Sequence, residues 1–135
     1  MTIFQSLGIA GTGLTVYRKW LDAVSDNIAN LNTVRPTDQS AFQARYIVAQ
    51  SVEGGDSGQG AEVAGVAYGS AEGRLVYEPG NPLADQKGYV RYPDIDLSSQ
   101  MTQLIMAQRG YQANLSVIDR ARDAYSAALQ LGRNA

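Results

Sequence analysis

Side chains able to do acid–base or covalent chemistry are scarce in this chain. It has no histidine and no cysteine, the residues that most often act as general base and activated nucleophile near neutral pH. Asp94 and Asp96 stand close enough in sequence to form a carboxylate pair, but they directly precede a periodic apolar segment. An aspartate there caps the free amides that open a helix. Glu72 and Glu78 flank a short β-like run and read as solvated. A metal site would have to be all oxygen, and no DxDxDG calcium loop occurs. Gly8-Ile9-Ala10-Gly11-Thr12-Gly13 invites comparison with phosphate-binding loops. It has no preceding strand, no P-loop lysine and no G-x-G-x-x-G spacing, so it reads as close helix packing or local flexibility. No catalytic residue, metal site or cofactor is assigned.

The two long segments that would have to position such groups are patterned for packing. From Leu97, steps of four and three reach Met101, Leu104, Gln108, Tyr111, Leu115, Ile118, Arg122, Tyr125 and Leu129, a heptad seam with two polar members. Gln108 and Arg122 read either as hydrogen-bonding at the seam's edge or as fixing register between helices. The N-terminal segment repeats the pattern through Ile3, Leu7, Ala10, Leu14, Tyr17, Leu21, Val24, Ile28 and Leu31, over roughly 43 Å of helix. A period of 3.5 predicts a left-handed supercoil.

Each segment also carries a second row at helical spacing. One comprises Ile9, Gly13, Val16, Trp20 and Ala23; the other Ala107, Gly110, Asn114, Val117, Ala121, Ala124, Ala128 and Leu131. A single partner cannot cover two rows, and the chain has no third long helix. Ile9, Val16, Trp20, Ala107, Gly110, Val117, Ala121, Ala124 and Ala128 are therefore expected to pack between subunits. Different patches on each face suit a head-to-tail polymer. Gly8, Gly11 and Gly13 each cost about 1 kcal/mol relative to alanine, so the first turns are expected to be weak until neighbours pack on them.

Between the helices, Asn30, Asn32, Thr33 and Pro36 mark an exit, and 41–52 reads as a strand. Residues 54–60 read as a flexible loop, 62–68 and 74–77 as short strands, and 77–89 as a structured excursion with tight turns before an extended run resumes. The fold class is mainly α with a small β-rich middle. Residues 1–33 and 96–135 form the two halves of an antiparallel coiled-coil core, and 34–95 the middle segment. Both chain ends are expected at one end of the helix pair and the β-rich middle at the other.

The 135 residues fit one domain with an apolar fraction of 44%. The net charge of −2 comes with no Lys/Arg stripe to neutralise phosphates, which argues against nucleic acid. Absence of cysteine excludes disulfides and thiolate metal sites. The first residues lack a basic n-region and a continuous apolar stretch, so a cleaved secretory signal is not expected. No apolar run has the ~18 residues of a membrane span.

These features resemble the rod proteins of the bacterial flagellum. Asp26-Asn27-Ile28-Ala29-Asn30-Leu31-Asn32-Thr33 is similar to the SxNIANxNT signature with which the axial proteins close their first helix, with Asn27, Ala29, Asn30, Asn32 and Thr33 at motif positions. Leu75 to Asp85, which contains Tyr77-Glu78-Pro79-Gly80-Asn81-Pro82, then Gly88-Tyr89-Val90, Met101, Tyr111-Gln112-Ala113-Asn114 and Ile118, resembles a short proximal-rod member. After Thr33 the chain departs from the common Pro-Gly-Tyr continuation, with Val34-Arg35-Pro36-Thr37-Asp38 instead.

The resemblance implies a structural subunit with no cofactor and no small-molecule substrate. It implies export through the flagellar type III apparatus without a cleaved signal, then assembly in the periplasm into a hollow shaft that transmits torque for motility. The terminal helices would form its inner coiled-coil layer. Neighbours would be further copies, the rod proteins FlgB, FlgF and FlgG, and the export-gate adaptor FliE. The rival reading is a soluble coiled-coil adaptor or export chaperone; an enzyme with a glycine-rich lid is the more distant alternative.

Overall fold

A computed structural model describes residues 2–54 and 58–133. The element order is α1 (Ile3–Ala29), β1 (Arg45–Ser51), β2 (Ala61–Tyr68), β3 (Arg74–Tyr77), β4 (Tyr89–Tyr92) and α2 (Leu97–Arg133). The chain is mainly helical, with two small two-stranded sheets in the middle.

α1 is helical from Ile3 onward, through Gly8, Gly11 and Gly13. Its first turns, expected to be weak, are fixed by a capping box that sequence reading missed. Thr2 Oγ1 accepts from the Gln5 backbone N–H at 3.2 Å, and the Gln5 side chain accepts from the Thr2 N–H at 2.8 Å. At the other end Asn30 closes the helix: its backbone and side-chain N–H groups both donate to the Asp26 carbonyl, and the Thr33 hydroxyl donates to Asn30 Oδ1. α2 opens as the sequence suggests, with Asp96 Oδ2 accepting from the Ser99 N–H at 2.8 Å.

The helices pack antiparallel. Asn27 meets Gln100, the Tyr17 ring lies over Gly110, Asn114 lies against Gly13, and Phe4 meets Tyr125 edge-on at 5.7 Å. Both chain ends therefore lie at one end, and residues 126–133 of α2 run past the start of α1.

The face α2 turns inward differs from the expected seam. Its buried or half-buried positions are Gln100, Leu104, Ala107, Tyr111, Asn114, Ile118 and Ala121, in steps of four and three, with Gln103 and Gly110 beside them. Leu104, Tyr111 and Ile118 belong to the expected seam; Leu97, Met101, Leu115, Tyr125 and Leu129 are exposed. The reason is steric. α2 is rotated so that Ala107, Gly110 and Asn114 share the inward side with Leu104, Tyr111 and Ile118, because the Tyr17 ring fits only where residue 110 has no Cβ; Met101 and Leu115 turn outward, and Tyr125 and Leu129 lie where α1 runs out. On α1, Val24 is fully buried, and Leu7, Leu14, Tyr17, Leu21 and Ile28 are half-buried, as is Leu31 just beyond it.

The β-rich middle also departs from expectation. Instead of sitting wholly at the far end, the β1–β2 hairpin lies back along α1, with Arg45 held at Asn27 and Ala61 at Thr12. β1 and β2 pair antiparallel from Arg45↔Tyr68 to Ser51↔Ala61, with a register shift between Val48 and Ala49. The expected strand from residue 41 begins only at Arg45; Ala41 and Ala44 are buried in the approach to it. Of the loop expected at 54–60, residues 55–57 lie outside the described residues. β3 and β4 pair from Arg74↔Tyr92 to Tyr77↔Tyr89, and a single bridge between Arg35 and Arg91 ties the 33–41 segment to them.

Among the described residues, five of the nine buried apolar side chains are alanines, so burial of large groups contributes less within one chain than in a core of large side chains. Gly110→Val is expected to drive a side chain into the Tyr17 ring and lower stability by about 1–3 kcal/mol. Gly8, whose Cβ position is open, gives the opposite sign: Gly8→Ala is expected to raise stability by up to about 1 kcal/mol. Chemical denaturation of the two variants beside wild type checks both.

Candidate functional site

The most constrained point in the molecule is a side-chain amide. Asn27 is fully buried, as is Gln100 on the facing helix. Asn27 Nδ2 donates to the Arg45 carbonyl at 2.9 Å and to Gln100 Oε1 at 3.0 Å, and its Oδ1 accepts the Arg45 N–H at 2.8 Å. One residue of α1 thus pairs with both backbone groups of the first residue of β1 and with the first turn of α2. Ala44, Val24, Val90, Pro93 and Ile95 are among the other well-buried side chains. An exposed ion pair, Arg45 Nη1 to Asp26 Oδ2 at 2.8 Å, flanks it; pairs so exposed contribute little.

The 77–89 excursion is organised by two carboxylates. Glu78, read from sequence as solvated, accepts from the Asn81 side chain and from the Tyr92 hydroxyl, both at 2.9 Å. These bonds, Asn81 first, hold its carboxyl below the usual glutamate range, and the same contact raises the Tyr92 phenol above its usual value. Asp85 accepts the backbone N–H groups of Tyr89 and Lys87 and the Thr37 hydroxyl. Its carboxyl is lowered, chiefly by the Tyr89 N–H. The departure after Thr33 is anchored here too: Arg91 donates through its guanidinium to the Glu72 and Thr37 carbonyls, while its backbone pairs with that of Arg35. These are structural contacts that lock a turn against β4. No group of three or more metal-ligating acidic residues occurs among the described residues.

The sequence signatures named above fall on these two places. Asn27 and Asn30 are the hub and the helix cap, Thr33 bonds to Asn30, and Ala29 and Asn32 are exposed. Tyr77 meets Tyr89 edge-on at 5.3 Å, Glu78 and Asn81 pair, and Pro79, Gly80 and Pro82 form the exposed turn.

Comparison with known proteins accords with this. A family model described as flagella basal body rod protein matches residues 7–37, and one described as flagellar basal body rod FlgEFG protein C-terminal matches 86–131. The flagellar basal-body rod protein FlgC of Escherichia coli O6:H1 is 37% identical over 98% of this chain and 100% of its own length. Those of Yersinia enterocolitica and Salmonella typhimurium are each 36% identical with the same coverage. The chain belongs to the FlgC family of flagellar basal-body rod proteins. Its role is that of a structural rod subunit and not of an enzyme, and the adaptor or chaperone alternative finds no support among these relatives.

Of the residues expected to pack between subunits, several are covered by the chain itself. Ala107 is fully buried, Val16 is buried on the face under the hairpin, and Gly110 receives the Tyr17 ring. Trp20 is half-buried: it stacks with Tyr17 and donates through Nε1 to Gln103 Oε1 at 3.3 Å. Ile9 and Ala121 are half-buried, and Val117, Ala124 and Ala128 are exposed. The rows were expected to need neighbours because only helices were counted as cover. Sequence reading missed Gln100, Arg45 and Arg91. The available signal was an asparagine and a glutamine each placed at helical spacing among apolar neighbours, near the facing ends of the two helices.

Asn27→Ala leaves both backbone groups of Arg45 and the Gln100 oxygen unpaired in the interior, and is expected to cost about 1–3 kcal/mol. Asn27→Asp is expected to be worse at neutral pH, by placing a charge against the Arg45 carbonyl, and to recover partly in acid as protonation restores one donor. Denaturation midpoints against pH check both. For the turn, Glu78 and Asp85 are lowered on folding, so their contribution is complete above the ordinary carboxylate range and is lost as pH falls through their folded values. Tyr92 is raised, so its contribution is lost as pH climbs past the ordinary tyrosine range. Glu78→Gln is expected to shrink the acid loss and bring the Tyr92 titration back down, as followed by NMR.

Proposed function

We propose that this rod subunit polymerises through its terminal helices into a hollow shaft that transmits torque. Residues 1–33 and 96–135 form the assembling core, supercoiled left-handed along the Gln100–Ala121 seam, and 34–95 makes contacts outside it. The observation that carries this is the apolar surface that α2 leaves uncovered, on both flanks of the strip packed against α1 and beyond the end of α1. Leu97, Met101, Ile105, Met106, Leu115, Val117 and Leu129 are all exposed, from 41% to 55%. Such a concentration of large apolar groups on one helix marks an interaction surface. Ordering a residue costs about 1–2 kcal/mol, so a helix pair with a core built largely of alanine gains most from neighbours that cover this surface.

The occupants of that surface, on this reading, are further copies and the related rod proteins FlgB, FlgF and FlgG, with the adaptor FliE at the export-gate end. Delivery is through the flagellar type III apparatus without a cleaved signal, into the periplasm. Support for these partners and this route is the family resemblance. No described helix is long and apolar enough to cross a membrane.

Two classes of variant separate folding from assembly. Leu21→Asp and Leu104→Asp charge the intrachain seam and are expected to unfold the helix pair and abolish motility. Met101→Asp and Leu115→Asp charge the outward face and are expected to leave the circular dichroism of the purified subunit unchanged while rod assembly and swimming fail. Wild-type swimming in the second pair would contradict the assignment of that face.

A further inference from the structure

The β1–β2 hairpin lies on α1 and is fastened by polar bonds at two points of different strength. At its base Asn27, fully buried, holds both the N–H and the C=O of Arg45. At its far end the fastening, among the described residues, is a single hydroxyl. Thr12 Oγ1, which donates to the Ile9 carbonyl at 2.7 Å, accepts the backbone N–H of Ala61 at 3.1 Å in a half-buried setting. Gly60 makes this approach workable. A Cβ there would overlap the Thr12 hydroxyl, and its φ of 107° is one that glycine adopts without strain. Thr12, Val16, Ala23 and Asn27 share one face of α1 by helical spacing, and Val16 and Ala23 are buried between the two fastenings.

Val16 and Ala23 belong to a longer row. With Ile9, Gly13 and Trp20 they run at helix-to-helix spacing along α1, beside the interface that Tyr17 and Gly13 make with α2. Gly13 and Trp20 lie at the α2 edge of this row, and its Val16–Ala23 side, continuous with that helix interface, is covered in the single chain by a two-stranded ribbon. A ribbon on its own is marginal, and among the described residues this one is held to α1 at its far end by one neutral hydrogen bond. We propose that the hairpin is a strap covering that side of the α1 row in the free subunit, that Thr12 and Ala61 form its latch, and that in the rod the α2 helix of a second copy takes its place. The inference rests on the rod reading above, in which copies pack through α1 and α2. On release the strap pivots about the Asn27–Arg45 base, which stays closed, so the exchange is local and the helix pair remains intact.

Thr12→Val keeps the branched shape and removes the acceptor. Expected are faster amide exchange at Ala61, unchanged exchange at Arg45, and self-association at a several-fold lower concentration by sedimentation velocity. Thr12→Cys with Ala61→Cys, in a chain that has no cysteine of its own, tests the converse. Its oxidised form is expected to stay monomeric and to associate once reduced by dithiothreitol. Equal association of the oxidised and reduced forms, or unchanged association of Thr12→Val while the Ala61 amide has opened, overturns the strap and leaves the rod reading standing. Failure of every form, wild type included, to associate alone or with purified rods overturns the rod reading and the strap together.

Discussion

The fold depends on burying one primary amide with its hydrogen bonds made. Asn27 has two donors and an acceptor within a short, stiff reach, and all three functions are engaged, by Arg45 and Gln100. Inside a protein such bonds are strengthened by the low dielectric, and each partner left unmade is penalised more heavily than at the surface. The arrangement is therefore close to all-or-none. If β1 starts one residue early or late, its N–H and C=O no longer face Asn27. If α2 is displaced by one turn, Gln100 leaves the junction. A single side chain thus sets the register of the hairpin, the register of the helix pair and the angle at which the chain leaves α1.

The helix pair shows how small residues choose a face. Tyr17 needs space, and Gly110 gives it; Ala107 beside it lets the backbones close. Turning α2 this way sends Met101 and Leu115 outward, whereas Leu129 is exposed because α2 there has run past the start of α1. The exposure of Met101 and Leu115 is a direct consequence of the close approach on the other side. Intrachain packing and the surface left for neighbours are two results of one rotation about the α2 axis, and a change to either row must act on both.

Much of the fold was legible in the sequence because it rests on local rules. The two helices, their Asn30 and Asp96 ends, and the strands at 74–77 and 89–92 follow from periodicity and from residues whose preferences are strong over a few positions. The inward face of α2 was legible only in part: Leu104, Tyr111 and Ile118 lie in the expected seam, but Gln100, Ala107, Asn114 and Ala121 do not. Periodicity weighs side chains by size, whereas the approach distance of two helices is set by the smallest residues between them. The hairpin's return along α1 was hidden for a different reason. It depends on Thr12 with Ala61 and Asn27 with Arg45, polar pairs separated by long stretches of chain that no window of neighbouring residues reveals. The role of Glu78 was missed in the same way, since its partner Tyr92 lies across the turn.

These features fit together through the kind of burial the chain uses. Where large apolar groups meet, burial is non-directional and tolerates sliding; where alanine and glycine meet, attraction is weaker and direction must come from elsewhere. Here the interior is mostly of the second kind, and direction comes from buried or half-buried hydrogen bonds at Asn27, Trp20 and Thr12. Large apolar groups are kept for the outside of α2, where many weak and repeated contacts with neighbours can add up. On the proposed assembly, such a subunit would specify its own shape by polar bonds and draw most of its cohesion from its neighbours. A load passed along a stack of these subunits would then be shared among many helix faces, with no single contact required to be strong.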